Sequence, residues 1–189
     1  MLTSNSDGSV FADLSPLIAS TAQWLTCSYP SGDSPMDRVL SEVQARQAVT
    51  VAAWLRYPTP LDAELVVLAG PRGSARLDWA TGADGGVYGP ETDPAGGQAW
   101  RTWVDEVVAS WAACLLTDSQ LAESAIAALA EGSQMGGVPV GFRRLAAPGD
   151  RDRKAAALLR HPDLLAPIAE LHREGLLARL APGPAPLTA

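Results

Sequence analysis

Six tryptophans stand against two phenylalanines in this chain, and their types and positions offer the most chemistry. An indole supplies a wide flat face and one N–H donor that needs a partner when buried. Trp24, Trp103 and Trp111 recur with apolar neighbours at helical spacing and read as core. Trp54 stands on the phase opposite Val51 and Leu55 in an alternating stretch, and Tyr57 follows three residues on. Trp79 precedes a Gly-rich segment whose edges carry Tyr88 and Trp100. Together these five could wall a cavity. The aromatic faces would fold an apolar substrate into a reactive conformer while a phenol or indole donor polarises a carbonyl. Trp54 and Tyr57 are therefore the candidate catalytic residues, and Trp79, Tyr88 and Trp100 candidate substrate contacts.

Other chemistries find less to work with. The two histidines, His161 and His172, form no His-x-x-x-His pair, and Cys27 and Cys114 lack metal-ligand spacing, so no metal is expected and both thiols read as reduced core residues. Gly-x-Ser-x-Gly does not occur. Arg56, Glu64, Arg76 and Asp78 share the polar phase of alternating stretches. Cross-strand ion pairs account for them, or Arg56 or Arg76 could hold a substrate carboxylate. Nor does any Gly-x-Gly-x-x-Gly occur: the clusters at 82–86 and 132–137 have the wrong spacing and read as a turn and a helix end. No nicotinamide, flavin or other cofactor is expected.

The elements that must position these side chains read as helix, then sheet, then helices. Residues 13–26 carry Leu14, Leu17, Ile18, Ala22 and Leu25 as a helical stripe. A break at 29–35 leads to a short strand at 38–43 and a strongly alternating strand at 47–57, closed by Pro58-Thr59-Pro60. Strands at 63–69 and 74–79 continue an antiparallel meander. Apolar spacing then predicts helices over 98–117 and 118–132, a short strand at 137–140, helices over 151–160 and 162–180, and a frayed Pro-rich tail from 182. The expected fold class is α+β, a largely antiparallel open sheet with helices packed on one face. Residues 1–145 form the sheet domain and 146–189 a helical extension of it.

The stretch from Gly8 through Asp13, Leu17 and Ser20 to Trp24-Leu25 resembles the catalytic helix of the Gfo/Idh/MocA sugar and inositol dehydrogenases, aligned without gaps. That family's His falls on Leu17 and its Asp on Ser20, so the resemblance implies a substrate-side domain without hydride-transfer residues. Gly70-x-x-Gly73-Ser-x-Arg-Leu-Asp78 and Gly137-x-Pro-Val140 resemble the sheet of the same family's C-terminal domain. The resemblance therefore implies a standing-alone sheet domain, one face of which packs subunits or encloses a ligand. Leu17, at the place of the lost His, and Met135, beside the last strand, then join the expected apolar substrate wall.

Charge narrows the partners. Fourteen Lys and Arg against 21 Asp and Glu give a net charge of -7, which opposes counterion-driven binding to nucleic acid or anionic membranes. No leader and no spanning segment is read, so a cytoplasmic setting is expected. Two classes of function follow. One is a cofactor-independent cyclase shaping an apolar polyene or macrolactone, of the kind that builds decalin-bearing polyketides such as nargenicin and streptoseomycin, working as a homodimer through the sheet face. The other is a non-catalytic partner or structural subunit.

Overall fold

A computed structural model describes residues 14–83, 99–131 and 141–181, and among them every regular element is helical. In chain order these are α1 (Ser15–Ser28), α2 (Pro35–Arg56), α3 (Pro60–Ala69), α4 (Ala75–Thr81), a 3₁₀ turn (Ala99–Trp103), α5 (Glu106–Thr117), α6 (Ser119–Glu131), α7 (Arg143–Ala146), α8 (Asp150–Ala155), α9 (Pro162–Ala169) and α10 (Arg173–Leu180). The expected antiparallel sheet is thus replaced by an all-α fold. The strands expected at 38–43, 47–57, 63–69 and 74–79 lie in α2, α3 and α4.

The reason is physical. The alternation at 47–57 has an apolar counter-phase, since Ala48, Ala52 and Trp54 are buried along with Val49, Val51, Ala53 and Leu55. A segment apolar all round fits a helix enclosed on every side as well as it fits a strand, and its alanines tilt the balance to helix. Helix starts are also written at the prolines. Ser34 accepts from the Asp37 amide at 3.1 Å ahead of Pro35. Thr59 and Asp62 form a reciprocal capping box around Pro60, with bonds of 3.3 and 3.1 Å. Proline in the first turn gives up an amide that has no helical partner there and presets φ.

Helix α2 is the spine and packs against α1, α5, α6, α7 and α8. Leu17 and Leu25 of α1, Val49 and Leu55 of α2, Val108 and Leu115 of α5, and Leu165, Ile168 and Leu176 of α9 and α10 belong to one buried cluster. The helix expected over 98–117 is interrupted at Asp105, whose carboxylate accepts from the amides of Val107 and Val108 at 2.8 and 3.3 Å and starts α5 anew. No helix among the described residues is long and apolar enough to cross a membrane.

Candidate functional site

The residues expected to catalyse and to bind substrate do not converge on one wall. Trp54 is buried on α2, its ring edge-on to Phe142 with centroids 5.8 Å apart. Tyr57, the C-cap of the same helix, is partly buried and donates its hydroxyl to Asp105, while the Arg56 guanidinium lies 5.6 Å from its ring centre. Burial, then the neighbouring Asp105 carboxylate, pushes the Tyr57 phenol well above its usual range. Leu17 is fully buried in the core. Trp100 is partly buried against the core, with the Arg101 guanidinium 5.4 Å from its ring. Trp79 points to solvent. Tyr88 and Met135 lie outside the described residues.

The polar side chains instead form three crosslinks between helices. Asp78 on α4 is buried and accepts from the Trp24 indole at 2.8 Å, the Ser74 hydroxyl at 3.2 Å and Arg101 at 2.7 Å. Glu106, at the first turn of α5, meets Arg76 at 2.9 Å and the His172 ring at 2.8 Å through one oxygen. Arg160 reaches Gln44 on α2, the Leu116 carbonyl ending α5 at 2.9 Å, and the Arg144 carbonyl of α7 at 2.7 Å. Burial lowers the Arg160 pKa to about 10. The cross-strand pairing expected among Arg56, Glu64, Arg76 and Asp78 has no sheet to carry it, and Arg76 and Asp78 pair with Glu106 and Arg101 instead.

A general base and a nucleophile would need to touch. His172 directs its ring to Glu106, and the hydroxyl of nearby Ser110 is engaged by main chain: it donates to the Ala169 carbonyl and accepts from the His172 amide, both at 3.0 Å. No Ser–His couple results. Among the described residues no group of three His, Cys, Asp or Glu converges to hold a metal. Cys114 is buried with its thiol on the Ala169 carbonyl at 3.3 Å, whereas Cys27 is exposed rather than in the core, and neither is bridged. Two open clefts, of about 430 and 360 Å³, lie against the α1–α2 turn; neither is lined by Trp54 or Tyr57.

What the helical fold leaves uncovered is α3. Only Ala63 and Val66 of its residues are buried. Leu61, Leu65 and Leu68 are 64%, 54% and 82% exposed. At ~100° per residue these three fall on one stripe, roughly opposite Ala63 and Val66. A helix apolar on both sides belongs inside a protein, yet here one side faces water. Glu64 flanks the stripe, Gly70 ends the helix with φ of 67°, and Arg72 follows in the exposed loop. The expected strand at 63–69 hid this face. The signal that reveals it is the Thr59-Pro60-x-Asp62 start followed by leucines at i, i+4 and i+7.

No protein-family model, curated protein or solved structure matches the chain. The sheet that the dehydrogenase resemblance implies has no counterpart among the described residues.

Proposed function

We propose that the protein is a non-catalytic helical interaction module whose working surface is the leucine face of α3. The observation that carries this reading is the exposure of Leu61, Leu65 and Leu68 on a helix held to the body by two small contacts, Ala63 and Val66. Three leucines in one stripe are what an amphipathic helix offers to a partner helix or groove, and contiguous exposed apolar surface marks interaction sites. The polar side chains support the same reading, because Asp78, Glu106 and Arg160 are each consumed in joining helices. The cyclase reading draws on Trp54 and Tyr57. The packing of Trp54 on Phe142 and the bond from Tyr57 to Asp105 give it less support.

The test is a reporter on the face itself. In a Cys27→Ser background, Leu68→Cys labelled with an environment-sensitive dye should show a blue-shifted emission as partner covers α3. If the emission stays that of a water-exposed dye both in concentrated solutions of the chain and in extract of its source cells, the docking reading fails.

A further inference from the structure

We infer that the cleft beside the α1–α2 turn binds a small zwitterion, a molecule carrying an ammonium and a carboxylate on one carbon as an α-amino acid does; the site lies apart from the leucine face of α3 and stands without it. The cleft holds about 430 Å³, within the range of small-molecule sites. Thr26, Ser31, Asp33, Arg38, Ser41 and Glu42 line it. Ser41 carries the inference. It is 1% exposed, yet its hydroxyl has no hydrogen-bond partner among the described residues. Other helical hydroxyls in this chain return to the carbonyl four residues back, as those of Thr26, Thr50, Thr117 and Ser124 do. Ser41 forgoes that bond, and a buried polar group left unpaired is costly. Thr21 is likewise buried and unpaired, but it lines neither of the two clefts.

Charge sets the class of ligand. Arg38, Ser41 and Glu42 stand three and four residues apart on α2 and so share a face. Glu42 pairs with Arg46 at 3.5 Å rather than with Arg38, and neither Arg38 nor Asp33 has an ion-pair partner among the described residues. Two unspent charges of opposite sign thus border one cleft without meeting. A carboxylate fits between the Arg38 guanidinium and the Ser41 hydroxyl, and an ammonium fits against Asp33 with Glu42 beside it. A simple anion would meet the two carboxylates and a simple cation the guanidinium, so a ligand of both signs suits the cleft better than either. The loop wall is built close: a Cβ on Gly32 would stand 3.0 Å from the Asp37 carboxylate, so glycine lets the turn lie against α2, and its amide reaches the Ala155 carbonyl at 3.5 Å.

The test is proton–nitrogen NMR of the whole chain titrated with α-amino acids, pooled and then singly, to ~20 mM. At least one should shift the amides of Ser31, Gly32, Asp33 and Ser41 saturably. The matched carboxylate without its amine, and the matched amine without its carboxylate, should each bind about tenfold more weakly or worse. Ser41→Ala gives up no hydrogen bond, so it should melt no lower than wild type while weakening binding about tenfold. Arg38→Gln, on the exposed rim, should weaken it equally. No saturable shift from any amino acid overturns the site. Equal binding of the carboxylate or the amine alone overturns the zwitterion, and an affinity within about twofold of wild type in either variant overturns the placement in this cleft.

Discussion

The indole N–H of Trp24 donates to the carboxylate of Asp78 at 2.8 Å, joining the middle of α1 to the short helix α4 across 54 residues of sequence. Arg101 and Ser74 close on the other carboxylate oxygen. One buried acid thus holds α1, α4 and the 3₁₀ turn before α5 in register. It is a structural linchpin, since both of its oxygens accept from donors on other turns of the fold.

Removing that acid leaves the indole N–H and a guanidinium without their acceptor in a low-dielectric setting. Asp78→Ala should destabilise by about 2–4 kcal/mol, a fall of roughly 10 °C in Tm for a chain of this size. Asp78→Asn keeps an acceptor for Trp24 and should lose less. Thermal unfolding followed by far-UV circular dichroism decides the matter, and a melt within 2 °C of wild type for the alanine variant would show that the crosslink contributes little.

Alkaline pH should loosen the fold through the buried phenol of Tyr29 and the partly buried one of Tyr57. Burial raises Tyr29 from an ordinary value near 10 to about 12, and Tyr57 is pushed higher by burial and by Asp105. The folded state favours the neutral phenol in both cases. The stability they contribute is therefore fully present below pH ~10 and is lost as pH climbs from there through the folded values, at up to ~1.4 kcal/mol per pH unit for each group. Urea unfolding at pH 9 to 12 should show the decline, and Tyr29→Phe should flatten it. Phenolate absorbance near 295 nm should lag behind that of free tyrosine until the chain unfolds.

Arg160 fastens the C-terminal helices to the spine. Its guanidinium meets Gln44 of α2, Leu116 at the end of α5 and Arg144 of α7. A lysine keeps the charge but cannot fan donors toward all three. Arg160→Lys should cost about 2–4 kcal/mol and expose the segment from α7 to α9 to faster amide hydrogen exchange. Unchanged exchange in that segment would show that its remaining contacts, the burial of Leu165 and Ile168 and the bonds to the Ala169 carbonyl, hold it without Arg160.

Part of this molecule was open to reading from residues. Helices α1 and α6 lie where their apolar spacing predicts, since each has a polar side that makes the 3.6-residue period visible. Helix α2 was hidden by its burial on every side, and α3 by an apolar composition without a polar face. Val49, Val51, Ala53 and Leu55 alternate, but so do buried alanines between them, and period two then carries no information about a face. The prolines misled in the same way. Pro35 read as part of the break after the first helix and Pro60 as the close of a strand, although the Ser or Thr before each and the Asp two residues after it write a helix start. The partners of Asp78 and Arg160 lie up to 116 residues away and no local spacing announces them. The α3 face was hidden by the period: read as a strand, 63–69 divides its leucines between two sides.

The most direct test is the emission of an environment-sensitive dye at Leu68→Cys in the Cys27→Ser background, read with and without Leu65→Arg in concentrated solutions of the chain and in extract of its source cells. Position 65 is exposed, so the substitution should leave stability within ~0.5 kcal/mol of wild type. The leucine face of α3 predicts a blue-shifted emission in at least one of the two solutions, and its loss in the Leu65→Arg chain with an unchanged helical spectrum. A water-exposed emission in both solutions, or a blue shift that Leu65→Arg leaves intact, would contradict it.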